Sequence, residues 1–349
     1  MQDLKTLRDN FRSELEKASQ SNLSSLPFLK NKLPEKELDP IGEYQVMVMG
    51  GTNFSSAIVR RSDSKIDLAD IKKESFDLFK SSREILSYIV DRIERDVVCF
   101  NFAFPMSPVL RDNRLDGELI TTSKDHEFPE LIGKKIGESI EKFALENKNR
   151  SVKFSVANDS LCLLMSGTSV ASPEDIVGLI LGTGFNIGIF FDNSIVNVEA
   201  AEFDKFAQSE AGKYIDENSV NRGEHLFEKE VSGAYLYQHF NFLIEREELN
   251  FRPVASTQEL YAVAYEGTFD KEASEAARDI FKKSSDMVAA VLAGVSLFKD
   301  HEMDVVLQGG LLFDQYRENL LDTYETLTSK RLTFYKIKDS SRIGAAYLI

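Results

Sequence analysis

The chain opens with the spacing of apolar residues that is typical of an amphipathic helix. Over residues 3–18, apolar side chains recur every three or four positions between charged ones: Leu4, Leu7, Phe11 and Leu15. Three prolines and several serines predict a loop over residues 19–40. From Glu43 the apolar and polar residues alternate, which predicts a strand, then a Gly-Gly-Thr-Asn turn and a second strand over residues 56–59.

Further along the chain, the same reasoning predicts strands, helices and a repeated turn. Apolar runs predict strands at 97–104, 176–181 and 304–308. Helical spacing predicts a helix over 130–146, with Ile132, Ile136, Ile140 and Phe143 on its inner face, and a short helix of small residues over 340–346. Both Gly50-Gly51-Thr52-Asn53 and Gly182-Thr183-Gly184-Phe185-Asn186 follow an apolar run. This near-repeat, at roughly the spacing of a domain, indicates two lobes with a shared plan.

The glycine turns have the composition of phosphate-binding loops. Successive backbone N–H groups in such a turn form a concave set of donors for anionic oxygens, and threonine hydroxyls add further donors. A third element, Gly309-Gly310, ends one apolar strand and precedes a helix, which is a common approach to a nucleotide. The alternative for the two turns is an ordinary pair of β-hairpins, because glycine and asparagine are frequent in hairpin turns.

A candidate general base stands at the end of a predicted strand. The alternating segment 154–157 delivers Asn158 and Asp159 just before a helical run over 161–165. Phosphoryl transfer to an alcohol needs in-line positioning, cations around the phosphates and a carboxylate that accepts the hydroxyl proton. An Asn-Asp pair at such a turn is also typical of a helix N-cap. The local sequence leaves both interpretations open.

Composition narrows the class of protein. A length of 349 residues favours two domains, and 42% hydrophobic with 28% charged residues is typical of a soluble protein. The net charge of −15 argues against nucleic-acid partners and anionic membranes. Cys99 and Cys162 lack metal-ligand or CxxC spacing and are predicted to be buried, reduced thiols. Without a signal sequence or a transmembrane run, a cytoplasmic protein is predicted.

Taken in order, these segments resemble the hexokinase family, a branch of the actin-like ATPase superfamily. The matching segments are 50–54 and 182–186 for two phosphate motifs, 102–105 for a Phe-Ser-Phe-Pro strand, 119–124 for a sugar-binding Thr-Lys loop, 156–159 for the catalytic Asn-Asp, and 197–199 and 227–233 for two sugar-binding glutamates. The resemblance implies an α/β, two-lobed actin-like ATPase (ribonuclease H-like) fold with its active site in the interlobe cleft. The small lobe would comprise 42–159 plus 339–349, and the large lobe 1–41 plus 160–338.

The resemblance also implies an ATP-dependent hexokinase that phosphorylates the 6-hydroxyl of an aldohexose such as glucose. Asp159 would be the general base, and the charge of Lys124 would help to balance the transferring phosphoryl group. The sugar would contact Ser123, Lys124, Asn158, Asp159, Asn186, Glu199 and Glu228. ATP, with Mg²⁺ as cofactor, would contact Gly50, Gly51, Thr52, Asn53, Gly182, Thr183, Gly184, Gly309, Gly310 and Gly344. The partners would be hexose and ATP, and the sequence assigns neither a metal ligand nor an oligomeric state.

Several positions depart from the family pattern. Val48 stands where the family has an aspartate that helps to hold hydrated magnesium, and valine offers no oxygen ligand. Ser55 stands where an arginine usually follows Thr-Asn-Phe. Ala103 and Ala200 replace a serine and a tryptophan. These departures leave an alternative open, a hexokinase-like sugar-binding regulator with impaired phosphoryl transfer. A third hypothesis is another kinase of the superfamily with a different hydroxylated substrate.

Overall fold

A computed structural model describes residues 3–21, 23–33, 43–50, 52–62, 65–122, 126–246, 248–267 and 269–348. The chain divides into two compact units. Unit 1 comprises residues 1–28, 174–187 and 198–336, and unit 2 comprises 29–173, 188–197 and 337–349. Neither unit is one continuous segment of the chain.

The elements are numbered along the chain. The helices are α1 (Leu4–Gln20), α2 (Ser82–Val90), α3 (Ile136–Lys148), α4 (Asp159–Gly167), α5 (Glu210–Glu217), α6 (Leu226–Val231), α7 (Leu236–Glu245), α8 (Thr257–Tyr261), α9 (Lys271–Lys299), α10 (Asp314–Thr328) and α11 (Ser340–Ala346). The strands are β1 (Leu29–Lys32), β2 (Glu43–Met49), β3 (Asn53–Ser62), β4 (Lys65–Ser75), β5 (Val97–Phe102), β6 (Met106–Arg111), β7 (Arg114–Leu119), β8 (Lys153–Ala157), β9 (Ile176–Leu181), β10 (Phe185–Phe191), β11 (Ser194–Asn197), β12 (Met303–Gln308) and β13 (Leu332–Tyr335).

Unit 2 is built on a five-stranded sheet with the order β4-β3-β2-β5-β8. β2 pairs antiparallel with β3 and parallel with β5, and β5 pairs parallel with β8. The register places Val48 opposite Ser55 on β3 and beside Asn101 on β5. Because residues in register point to the same side of a sheet, these three side chains share one face.

The two faces of this sheet carry side chains of different size. One face presents Met47, Phe100 and Phe154 to an apolar core that includes residues of α2 and α3. The other face presents smaller residues, such as Val46 and Cys99, and is covered by α11, which contacts β2, β5 and α4. The small side chains leave room for this helix to lie close to the strands.

Unit 1 is organised around the long helix α9, most of whose apolar side chains are buried. α1, α6, α7 and α10 pack on it. Gly294 permits the close approach of α1, since a Cβ there would lie 2.8 Å from the Arg8 carbonyl oxygen. In the same unit β12 pairs in parallel with β9 and β13. The continuous apolar sequence of β9 suits a parallel strand covered on both faces.

Most of the predicted elements are confirmed, including α1, β2, β3, β9, β12 and α11. The loop prediction for residues 19–40 was wrong at β1, a largely polar strand held by pairing with β11. The helix predicted over 130–146 begins only at Ile136, because Gly133 has a left-handed backbone (φ 72°) that interrupts it. The strand predicted over 97–104 ends at Phe102.

The compact units differ from the predicted lobes. Residues 160–173 and 188–197, which were predicted in the large lobe, lie in unit 2 with residues 29–33. The physical reason is packing, since α4 contacts both α11 and β11. No helix in the described part of the chain is both long enough and apolar enough to cross a bilayer.

Candidate functional site

The turn between β9 and β10 brings two of the predicted motifs in unit 1 together. Glu228, in the first turn of α6, accepts a hydrogen bond from the Phe185 N–H through Oε2 at 2.8 Å. A Cβ on Gly184 would lie 2.8 Å from the same oxygen. Glycine at 184 therefore leaves room for the carboxylate, and the hydrogen bond fixes Glu228 against the turn.

Asn186 ties the same turn to the segment that carries Glu199. Its Oδ1 accepts hydrogen bonds from the Ile187 N–H at 2.7 Å and the Ala200 N–H at 3.3 Å. Glu199 itself has a left-handed backbone (φ 52°) and precedes the 3-10 helix Ala200–Glu202. Three residues predicted to bind sugar, Asn186, Glu199 and Glu228, thus belong to segments that hydrogen bonds hold to one turn.

Charged neighbours and burial set the electrostatics around Glu228. Desolvation raises the pKa of the Glu228 carboxyl, and the Phe185 N–H and the nearby His225 oppose this rise in part. His225 Nδ1 lies 2.8 Å from Glu202 Oε1. Their hydrogen bond raises the pKa of His225 and lowers the pKa of Glu202. A protonated His225 therefore favours the ionised form of Glu228.

A cavity of about 440 Å³ in unit 1 lies beside the predicted phosphate-binding glycines. Gly182, Thr183 and Gly310 line it. Gly309 has φ 134°, and a Cβ there would overlap the Leu181 carbonyl oxygen, so the wall requires glycine at this position. The Gly182 carbonyl also accepts a hydrogen bond from the Gly233 N–H at 2.7 Å. The backbone of three glycine segments thus approaches closely at one edge of the cavity.

Other residues around this cavity were not among the predicted site residues. They come from the loop between α6 and α7, from α8, the π-helical segment Ala262–Glu266, α9 and the loop before α10. Gly233 belongs to the motif at 227–233, whereas no motif marks the others, and aromatic residues at helical spacing are normally assigned to the core. The additional lining residues are Gly233, Thr257, Gln258, Tyr261, Glu266, Phe281, Leu311 and Phe313.

In unit 2 the predicted phosphate turn connects β2 to β3. The Gly50 N–H donates to the Asn53 carbonyl at 2.9 Å, and the Phe76 N–H donates to the Thr52 carbonyl at 3.1 Å. Thr52 and Asn53 are exposed. The turn is therefore held by backbone hydrogen bonds while its side chains face solvent. Gly51, Ser123 and Lys124 lie outside the described residues.

The Asn-Asp pair occupies the junction of β8 and α4. Asn158 is the N-cap of α4, and its Oδ1 accepts hydrogen bonds from the Leu161 N–H at 3.1 Å and the Ser160 hydroxyl at 2.8 Å. Asp159 is the first residue of the helix and is half-buried, with Oδ1 accepting the Ser160 N–H at 3.0 Å. The cap is thus Asn158, and Asp159, the predicted general base, is not the capping residue.

Gly344 packs the C-terminal helix α11 against α4. A Cβ at this position would overlap the Cys162 carbonyl oxygen, so the two helices approach closely only because residue 344 is glycine. The described structure thus gives Gly344 a packing role in unit 2. Cys162 and Cys99 are buried and free, which confirms the prediction for both thiols.

The described residues offer no preformed cluster of metal ligands. They contain no group of three or more His, Cys, Asp or Glu side chains placed to hold a metal. Val48 lies between Ser55 and Asn101 in register and contributes no oxygen. Mg²⁺ commonly retains several waters and binds through one or two carboxylates and substrate phosphates, so a preformed cluster is not required.

Comparison with known proteins addresses the family. Residues 176–246, which include Gly182, Asn186, Glu199 and Glu228, match the family profile described as Hexokinase. Hexokinase-7 of Oryza sativa subsp. japonica is 22% identical over 395 aligned positions, covering 88% of this chain and 84% of that protein. Hexokinase-5 of the same organism is 24% identical over 233 positions, covering 56% of this chain and 45% of that protein. The chain therefore spans about half the length of Hexokinase-5.

The fold is similar to that of a solved hexokinase. The hexokinase from Schistosoma mansoni complexed with glucose has a TM-score of 0.77 and 18% sequence identity to this chain, covering 99% of this chain and 94% of that one. At this level of identity the similarity concerns the fold. Together, the family profile, the relatives and the fold confirm the resemblance of this chain to the hexokinase family, with its two-lobed actin-like ATPase fold.

Proposed function

We propose that this chain is an ATP-dependent hexokinase that phosphorylates the 6-hydroxyl of an aldohexose such as glucose. The observation that carries the proposal is the set of hydrogen bonds at the β9–β10 turn, which hold Asn186, Glu228 and the Ala200 N–H beside Glu199 to one place. A polyol needs several polar partners, and carboxylates accept hydrogen bonds from hydroxyl groups strongly. Glutamates on an ordinary solvated surface would not be linked to one turn in this way.

The chemistry proposed for Asp159 is general-base catalysis. The 6-hydroxyl oxygen attacks the γ-phosphorus of ATP, ADP leaves, and the hydroxyl proton passes to the Asp159 carboxylate. Asn158 supports this role because it supplies the N-cap of α4, so the helix does not use Asp159 as its cap. Ser123 and Lys124 are proposed to contact the sugar, and Lys124 is proposed to balance phosphoryl charge.

The predicted phosphate-binding glycines are proposed as nucleotide contacts. In unit 1 the 440 Å³ cavity beside Gly182, Thr183 and Gly310 is of a size that suits a small-molecule ligand. In unit 2 the turn at Gly50, Thr52 and Asn53 is proposed to contact phosphate through the exposed residues Thr52 and Asn53. Mg²⁺ enters this proposal as part of MgATP, the substrate. A cytoplasmic location is also proposed, since Cys99 and Cys162 are free thiols.

A coupled assay with MgATP tests the proposal. The substrates are glucose, mannose, fructose and N-acetylated hexoses, and the reference is Asp159→Ala. We expect the variant to lose about 10²- to 10⁴-fold in kcat, the usual contribution of a positioned acid or base. Asp159→Asn is the matched variant, because it keeps the shape and removes the proton acceptor. Turnover by the natural chain no faster than by Asp159→Ala, on every sugar, would overturn the proposal.

The second candidate function is a sugar-binding regulator with impaired phosphoryl transfer. Val48 and Ser55 favour it, because they lie opposite each other in register and remove an acid and a cation from one place in the sheet. Calorimetry separates the two functions. A regulator should bind glucose while MgATP binds weakly and no sugar phosphate forms. A hexokinase should bind both and turn over.

A further inference from the structure

Arg342 of α11 places a guanidinium beside one of the family departures. Its Nη1 donates a hydrogen bond to Ser55 Oγ at 3.0 Å. Ser55 is the position at which the hexokinase pattern has an arginine, and Val48, the other departure, lies opposite it. The guanidinium on α11 therefore lies beside position 55 of β3, where β3 itself carries no cation.

The guanidinium of Arg342 has donors that its partners in the protein do not use. The side chain is buried, with 7% of the residue exposed. Its Nη2 pairs with Asp339, and its Nε has no hydrogen-bond partner in the described ranges of the chain. A guanidinium has five N–H donors, and leaving one unpaired on a desolvated cation costs free energy. Binding an anion with several oxygens would remove this cost.

The nature of the anion is inferred from the place of Ser55, the partner of Arg342, near the turn of unit 2. Ser55 lies two residues beyond Asn53, the residue whose carbonyl closes the Gly50–Asn53 turn. Two residues of a strand span roughly 7 Å, which is comparable to the length of a chain of two phosphates. A planar guanidinium also suits phosphate oxygens, which it binds in pairs. The geometry therefore favours a phosphate chain that extends from the turn toward Arg342.

We propose that Arg342 binds the terminal phosphates of the nucleotide, in place of the arginine that is missing at position 55. The identity of the nucleotide rests on the proposed function. The competing explanation is that the Arg342–Asp339 pair only fastens α11 to the sheet, and the two explanations predict different effects of substitution.

Equilibrium binding of ATP and AMP to the full chain tests the proposal. We expect Arg342→Gln to weaken ATP binding about 10- to 100-fold, the loss typical of hydrogen bonds to a charged group, and Arg342→Lys to have an intermediate effect. Binding of AMP, which lacks the terminal phosphates, and of glucose should change less than threefold. Asp339→Asn keeps the left-handed backbone at φ 59° and removes the carboxylate. It should leave ATP affinity unchanged or increase it.

Arg114 provides a matched control. It is a buried arginine of unit 2 whose partners are Glu141 and the Phe154 carbonyl. Arg114→Gln should lower thermal stability and leave ATP affinity unchanged. If Arg342 only fastens α11, then Arg342→Gln, Asp339→Asn and Arg114→Gln will all lower stability alike and none will change the ratio of ATP to AMP affinity. That result overturns the proposal.

Rescue completes the test. Ser55→Arg introduced into Arg342→Gln should restore ATP affinity to within about threefold of the natural chain, because it returns the cation to β3. Failure of ATP to bind the natural chain also overturns the proposal. If ATP binding depends on Arg342 while no sugar is phosphorylated, the hexokinase function fails and the role of Arg342 stands.

Discussion

Burial of the Glu228 carboxyl makes a measurable prediction at the scale of one residue. The pKa of this carboxyl lies above the usual value of 4.5 because of desolvation. If the ionised form accepts hydrogen bonds from the sugar, glucose affinity rises as pH rises through this raised pKa. The effect on folding stability has the opposite sign. Because the native state binds the Glu228 proton more tightly than the unfolded state does, the contribution of this group to the free energy of unfolding falls over the same pH range. Calorimetry and thermal unfolding across pH check both signs.

Glu228→Gln tests whether the pH dependence of glucose affinity comes from the Glu228 carboxyl. It keeps an acceptor for the Phe185 N–H and removes the titration. We expect glucose to bind about tenfold more weakly, because one charge-assisted hydrogen bond is lost. We also expect that the glucose affinity of this variant no longer falls at acid pH. Glu146→Gln, at an exposed position of α3, should preserve both affinity and pH profile. A flat profile in the natural chain would contradict the role given to the Glu228 carboxylate.

Substitution of Val48 tests whether the lack of an acidic side chain at this position limits turnover. Asp at this half-buried position would face Ser55, which is hydrogen-bonded to the Arg342 guanidinium. We expect Val48→Asp to cost less stability than Val46→Asp, which would bury a carboxylate two residues earlier on the same face of β2. Denaturant unfolding gives both free energies. A rise in kcat with Val48→Asp would identify the acid as limiting, and an unchanged kcat would exclude that explanation.

At the scale of elements, the loop after β12 depends on one glycine of the pair. A Cβ at Gly309 would overlap the Leu181 carbonyl oxygen, and its φ of 134° is unfavourable for other residues. A Cβ at Gly310 meets no atom within 4 Å. We therefore expect Gly309→Ala to lower the free energy of unfolding by about 2–5 kcal/mol and Gly310→Ala by less than about 1 kcal/mol. Chemical denaturation checks the pair, and equal effects would contradict this assignment.

Elements with a regular apolar pattern could be predicted from the sequence. α1 and β9 have clear periodicity and were found, whereas β1 is polar and exists because it pairs with β11, a long-range contact that no local pattern contains. The start of α3 was missed because apolar spacing continues through Ile132 although the backbone at Gly133 does not.

The candidate site was predictable only where its residues form motifs. The turn at 182–186 and Glu228 could be found in this way. Tyr261 and Gln258 could not, because their places beside the cavity depend on how α8 packs. Arg342 was missed for the same reason, since its contact with Ser55 joins positions 287 residues apart.

At the scale of the whole molecule, the division into units predicts the effect of truncation. Unit 2 requires α11, whose Gly344 packs on α4 and whose Ala346 carbonyl accepts the Tyr44 hydroxyl at 2.7 Å. A chain that ends at residue 336 should lose the cooperative unfolding of unit 2 and bind a hydrophobic dye, because one face of the five-stranded sheet loses its cover. Calorimetry of this variant beside the full chain provides the measurement. A truncated chain with an unchanged transition would contradict the role of α11.

The covering of the sheet by α11 also sets an order of events on the ribosome. The strands of unit 2 are synthesised early, but residues 340–346 follow the whole of segment 198–336. During that interval the part of the face that α11 covers, against β2 and β5, remains exposed. Exposed apolar surface of this kind makes a nascent chain prone to aggregation and dependent on chaperones. Slow translation through 198–336 should therefore lower the yield of native protein, and faster delivery of α11 should raise it.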